Sequence, residues 1–324
     1  MKFFKKLLKV FFIILFSIFI VFSFLPYFFS VETKELAVNE KPFFNSRFTT
    51  VDKTKFHYRV WSPKNKAIRK VLLIHGFSGS TISYRKNIDT LVSQGALVVA
   101  IDLPAFGFSD KSDTASYEIE NTFNAINKIT SFYDTACADK FIVVGHSMGA
   151  AVAGIYASNF PQKVKSVILI DGAPFQNPGG GWLAKILFGY PPLKRWANVL
   201  CKHYFAKPDK FKELLSSAYG EPANIDAVNG YLFPFCYKNS GSAIFKMATA
   251  ENNFVFNKDG FKNIPLLVIW GKNDSWLPIS LRDKFIKKFP EAKTYVVNGA
   301  SHCPMETKAA EVNKVISQFV FEQK

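Results

Sequence analysis

Residues 141–154 constrain this chain more than any other stretch. Phe141-Ile142-Val143-Val144 is an apolar run of the kind that forms a buried strand. Gly145-His146-Ser147-Met148-Gly149 follows it, and Ala150-Ala151-Val152-Ala153-Gly154 reads as the start of a helix. A G-x-S-x-G pattern between a strand and a helix describes a tight turn that lifts the serine hydroxyl clear of the backbone. Small flanking residues let the turn close. The first helical N–H groups then lie beside the hydroxyl, where they favour negative charge.

A serine hydroxyl is a weak nucleophile unless a base takes its proton and a third group orients that base. Of the five histidines, His57, His75, His146, His203 and His302, only His302 stands near the C-terminus in a loop after a strand-like run, residues 294–297. Asp274 follows another such run, residues 265–270, in Gly271-Lys272-Asn273-Asp274. Residues at the ends of parallel strands emerge at one edge of a sheet, so Ser147, Asp274 and His302 are expected to meet there. Asp274 also suits a turn or the cap of a helix starting near Ile279. Asp171, after residues 167–170, is the alternative acid and otherwise belongs at a hinge. His75 and His146 read as structural or pocket-lining, and His57 and His203 carry no motif. Asp102 and Asp110 are expected to hold their own loop through local backbone bonds.

The order Ser147, Asp274, His302, from about Thr50 onwards, resembles the α/β-hydrolase superfamily, within it the lid-bearing serine esterases, haloperoxidase-like proteins and carbon–carbon bond hydrolases. His75-Gly76-Phe77 after residues 71–74 matches the loop that supplies one oxyanion-hole amide. The resemblance implies backbone N–H donors at Phe77 and Met148. Residues 102–109, Asp-Leu-Pro-Ala-Phe-Gly-Phe-Ser, resemble the family's D-x-P-G-x-G-x-S loop, with Ala105 where glycine is usual. It also implies a doubly wound, mostly parallel sheet with a helical lid inserted at about residues 172–262.

The strand and helix signals agree with that architecture. Residues 55–61, 71–74, 97–101, 141–144, 167–170, 266–270 and 294–297 read as strands, the first opening the sheet. Residues 83–93, 118–133, 148–158, 280–289 and 308–321 read as helices between them. The alternation breaks over 172–262. Pro178 and Gly179–Gly181 suggest a hinge or a loop there. The aromatics Trp182, Phe188, Tyr190, Trp196, Tyr204, Phe205, Tyr231, Phe233 and Phe235 line either a pocket or the lid's own core.

Lys2, Lys5, Lys6 and Lys9 precede an uncharged, phenylalanine-rich run from Val10 to Ser30, long enough to cross a hydrocarbon core of roughly 30 Å. No small-residue cleavage site follows and no lipid-accepting cysteine is near, so an uncleaved signal anchor is expected rather than a cleaved leader. The lysines place the N-terminus in the cytoplasm and the catalytic domain, residues 48–324, outside, joined by a tether over 31–47. Net charge is +16, of which the anchor lysines supply four. No nucleic-acid module accompanies the remaining +12, which suits anionic lipid or a solvated lysine-rich surface.

Cys137, Cys201, Cys236 and Cys303 show no metal-ligand spacing, so neither a metal nor a cofactor is expected. Cys201 and Cys236 share the lid and leave a disulfide open. Cys303 lacks an elbow and is set aside as a nucleophile. The reading is a membrane-anchored, carboxylesterase- or lipase-like serine hydrolase that cleaves a small apolar acyl or aromatic ester through an acyl-enzyme. The same triad would also serve a C–C bond hydrolase, an acyltransferase or a perhydrolase. The remaining alternative is a binding protein without catalysis. Dehalogenase or epoxide hydrolase chemistry needs an aspartate where Ser147 stands.

Overall fold

The structure, a computed structural model, describes residues 2–31, 35, 40–174, 189–250 and 254–322. Eight strands form one sheet: β1 (Ser46–Val51), β2 (Thr54–Trp61), β3 (Arg69–Ile74), β4 (Ala96–Ile101), β5 (Phe141–His146), β6 (Val164–Ile170), β7 (Leu266–Gly271) and β8 (Lys293–Val297). Their order is β1-β2-β4-β3-β5-β6-β7-β8. β1 and β2 pair antiparallel, as do β2 and β4; every pairing from β4 to β8 is parallel. The sheet opens at Ser46, one strand before the segment expected from alternation. β1 carries Arg47 and two adjacent threonines, and only antiparallel pairing with β2 makes it a strand.

Residues 71–74, 96–101, 141–144, 167–170 and 266–270 of the parallel strands are apolar because both faces are covered there. Leu72 and Ile74 pack on one face with Phe123, Ile126 and Tyr156, from α3 (Ile119–Ser131) and α4 (Met148–Asn159). Val71 and Leu73 point to the other face, against Leu91 of α2 (Ile88–Ser93) and against Val312 and Ile316 near the C-terminus. The period of two thus feeds two cores at once.

Between β6 and β7 lie α5 (Pro191–Leu200), a π-helical turn (Cys201–Phe205), α6 (Pro208–Tyr219), α7 (Ile225–Leu232), α8 (Ser240–Thr249) and α9 (Lys258–Phe261). After β7 come α10 (Ile279–Ile286), α11 (Pro304–Thr307) and α12 (Ala309–Phe321). The glycine run at 179–181, Trp182 and Phe188 fall outside the described residues. The remaining inserted aromatics serve several roles. Tyr190 and Trp196 pack on the N-terminal helix, and Tyr204 and Phe205 are exposed. Phe235 meets Phe211, Phe233 meets Phe108, and the Tyr231 hydroxyl reaches Ser83 and Glu306. None of the four cysteines, all of them among the described residues, is in a disulfide.

The N-terminal helix α1 (Lys2–Phe24) projects most of its apolar side chains outward, with Ser23 buried on it and Pro26 just beyond. It is the one described helix long and apolar enough to cross a membrane.

Candidate active site

β5 ends in His146 and α4 begins at Met148, so Ser147 alone makes the turn. Its backbone sits at φ +53°, a region that side chains other than glycine avoid. Such a conformation costs on the order of 1–3 kcal/mol and persists only where the surroundings impose it. Here they do. A side chain at Gly145 would strike the Gly149 carbonyl, and one at Gly149 would strike the Ile74 and His75 carbonyls. Both glycines are required by close approach of backbone to backbone.

Ser147 Oγ lies 2.9 Å from His302 Nε2, and His302 Nδ1 lies 2.8 Å from Asp274 Oδ2. Asp274 also accepts the N–H groups of Trp276 (2.8 Å) and Leu277 (2.9 Å) through Oδ1. The turn-closing role weighed for Asp274 and its contact with the imidazole are therefore both present. Burial works against ionisation of Asp274, but its bonds from His302 and Leu277 prevail and hold the carboxyl below the usual carboxylate range.

Asp171 does not bond to His302. Its Oδ1 accepts the Gly271 N–H at 2.8 Å and its Oδ2 meets no donor. Complete burial, with Asp274 beside it, pushes its carboxyl well above the ordinary value. Like charges this close do not both persist, so Asp171 keeps its proton and directs it at Asp274. Asp171, Asp274 and His302 each bring one ligand-type atom within 4.8 Å of the others. The His302–Asp274 bond already uses the ring nitrogen, and a neutral Asp171 is a poor cation ligand. This donor set suits a shared proton better than a metal.

Met148 opens α4, where a helix leaves its first N–H groups without internal acceptors. Gly76 lies so close to the elbow that a Cβ there would be 3.0 Å from Ser147 Cβ, which sets the next residue, Phe77, beside the serine. Phe77 stands edge-on to Phe106 at 5.4 Å, and Trp276 stacks on the His302 ring at 5.2 Å. His75 is buried and held neutral by burial; its Nε2 accepts the Leu103 N–H at 2.9 Å. His146, likewise buried, donates from Nε2 to the His302 carbonyl at 2.7 Å, and its pKa is pushed down to about 3. Ala105 adopts φ +75°, the left-handed turn that its family position normally gives to glycine.

Two arrangements went unread in the sequence. His57 Nδ1 meets Asp102 Oδ2 at 2.6 Å, fully buried, and Asp102 also accepts Thr81 N–H at 2.6 Å and Phe108 N–H at 2.8 Å. Asp102 therefore ties three segments together, whereas the Asp110 side chain keeps to its own loop, accepting Ser112 N–H at 2.7 Å, while its backbone N–H donates to Lys55 of β2 at 2.8 Å. Glu306, buried in α11, pairs with Arg85 and accepts the hydroxyls of Tyr219 (2.7 Å) and Tyr231. His302 itself donates its backbone N–H to Ala218 at 2.9 Å. No local pattern marks these partners.

A family model for the alpha/beta hydrolase fold matches residues 70–191. Lipase 3 of Moraxella sp. (strain TA144) is 27% identical over 238 residues, which cover 72% of each chain. The 2-hydroxy-6-oxononadienedioate/2-hydroxy-6-oxononatrienedioate hydrolase of Cupriavidus pinatubonensis is 24% identical over 302 residues, 85% of this chain and 95% of that one. The crystal structure of a membrane phospholipase A, a bacterial virulence factor, superposes with a TM-score of 0.62 at 20% identity, covering 97% of both chains; that likeness is one of fold. The sheet order, the strained serine turn and these matches give the chain the alpha/beta hydrolase fold.

Proposed function

We propose that this chain is a serine hydrolase acting on a carboxylic ester, anchored to a membrane by α1 with its lysine-rich end in the cytoplasm and its catalytic domain on the other side. The observation that carries the reading is the continuous chain of contacts Ser147 Oγ–His302 Nε2 and His302 Nδ1–Asp274 Oδ2. His302 takes the serine proton as Oγ attacks the ester carbonyl. Asp274 holds the imidazole in the tautomer that leaves Nε2 free and stabilises the imidazolium that forms. The amides of Phe77 and Met148 receive the developing oxyanion, each donor contributing roughly 3 kcal/mol in comparable sites. His302 returns the proton to the leaving alcohol, and water attacking the acyl-enzyme through the same base releases the acid.

A fluorophosphonate probe is expected to label the chain, and Ser147→Ala or His302→Ala to abolish the labelling. Robust labelling of Ser147→Ala refutes the assignment. A second reading draws on the relative named as a carbon–carbon bond hydrolase. Ready turnover of simple p-nitrophenyl esters favours the esterase; their neglect alongside intact probe labelling favours C–C cleavage.

A further inference from the structure

We infer that residues 190–205 lie within the outer leaflet of a bilayer, seated on α1, and that the enzyme therefore meets its ester at an anionic lipid surface. The inference rests on the proposal that α1 spans a membrane and names the substrate's phase.

The insertion grips the far half of the apolar run. The Tyr190 hydroxyl lies 2.5 Å from Ser23 Oγ, and its ring stacks on Phe19 at 5.9 Å. Trp196 stacks on Phe22 at 5.6 Å. Its indole N–H donates to the Phe22 carbonyl at 2.9 Å. That carbonyl would ordinarily accept from residue 26, and Pro26 has no N–H to offer. Arg195 donates to the carbonyls of Pro26 (3.3 Å) and Phe29 (2.7 Å), and His203 Nε2 lies 2.8 Å from the Ser30 carbonyl. The insertion thus supplies donors to the carbonyls at the end of the apolar segment, where no water would serve them.

Helix length then fixes the depth. Were residues 190–205 in water, the bilayer would have to end near Phe19. Residues 10–18, uncharged after Lys9, span only about 14 Å at roughly 1.5 Å per residue. Even residues 3–18, with the lysines snorkelling back, reach only about 24 Å, against a hydrocarbon core of roughly 30 Å. The core must extend outward past Phe22 and Ser23, and the side chains packed there go with it.

The exposed groups of the segment fit that location. Leu200, Tyr204 and Phe205 are each about half exposed, next to His203 and its partner Ser30. Tyrosine and tryptophan favour the level of the headgroups. Residues 190–214 hold Lys194, Arg195, Lys202, Lys207, Lys210 and Lys212 against Asp209 and Glu213, a surplus that suits anionic headgroups. α6 begins three residues after Phe205. Near its other end Ser217 Oγ accepts Trp276 Nε1 at 3.1 Å and the Ala218 carbonyl accepts the His302 N–H. One helix therefore runs from the lipid-facing segment to the catalytic imidazole.

The test uses the full chain in phosphatidylcholine–phosphatidylglycerol vesicles carrying acyl chains brominated near the headgroup. The fluorescence lost in Trp196→Phe isolates Trp196. At least half of that component is expected to be quenched in brominated vesicles; no quenching overturns the inference. This readout needs no turnover, so it stands apart from the hydrolase reading. In the paired measurement, the double variant Leu200→Asp, Phe205→Asp is expected to lose at least tenfold on an acyl ester carried in the vesicles and to match the parent on a soluble p-nitrophenyl ester. Equal rates of variant and parent on the vesicle-borne ester also overturn it.

Discussion

Asp171 and Asp274 lie side by side behind His302, and their surroundings push the two carboxyls in opposite directions. Asp274 collects the His302 ring and the N–H groups of Trp276 and Leu277, so it holds the charge. Asp171 has one donor, Gly271 N–H, and is fully buried, so it holds a proton. Asparagine mimics that neutral acid: its carbonyl accepts from Gly271 and its NH2 faces Asp274. Asp171→Asn is therefore expected to keep kcat within a few-fold. Asp274→Asn places an amide against His302 Nδ1 and is expected to lose on the order of 10⁴-fold, the size such a change costs when it holds the wrong tautomer. The stability of Asp171→Asn carries a second signature. The folded pKa of Asp171 lies above its unfolded value of about 4, so its contribution is full at low pH and falls as pH rises toward the folded pKa. Asp171 contributes a slope of about 1.4 kcal/mol per pH unit to the parent, and the asparagine variant lacks that contribution. Urea unfolding of the detergent-solubilised chains at pH 5 and pH 6 should show the variant gaining about that much relative to the parent. Parallel pH dependences, or an Asp171→Asn enzyme as inactive as Asp274→Asn, would refute the assigned protonation.

Glu306→Ala strands Arg85 and the hydroxyls of Tyr219 and Tyr231 in or near the interior, and is expected to cost about 3 kcal/mol in denaturant melts. A cost under about 1 kcal/mol would mean the network is replaced by water. His146 is neutral when folded, with a pKa near 3 against about 6.5 unfolded, so its contribution is full above pH 6.5 and is lost as pH falls. His146→Gln keeps a donor for the His302 carbonyl. It should therefore escape a loss that the parent suffers, about 1.4 kcal/mol per pH unit between pH 6 and 4 by urea unfolding, and equal slopes would contradict the buried neutral imidazole.

The sheet was legible because a parallel strand covered on both faces is apolar along its covered stretch, which gives β3 to β7 continuous apolar runs such as residues 71–74 and 167–170. The meeting of Ser147, Asp274 and His302 was legible because each follows such a run, and strand ends converge at one edge. β1 escaped because an antiparallel edge strand carries polar residues and is defined by its neighbour. The division of protons between Asp171 and Asp274 depends on which carboxyl gathers donors from residues 276, 277 and 302, and only folded distances show that. Glu306 reads as an ordinary helix-cap acid in a polar stretch. Its partners lie 75 to 221 residues away, so nothing nearby announces a buried charge.

The same long-range bonds divide the insertion mechanically. Tyr219 of α6 and Tyr231 of α7 are bound to Glu306, and Glu306 to Arg85. Ala218 holds the His302 backbone, so any displacement of α6 or α7 strains both the buried ion pair and the imidazole. Residues 190–205 make their described bonds elsewhere. They are held by α1 through Tyr190, Arg195, Trp196 and His203, and by α8, where Asn198 exchanges hydrogen bonds with Ser242. Through Ala218, Tyr219 and Tyr231, α6 and α7 thus hold His302 in register with Ser147.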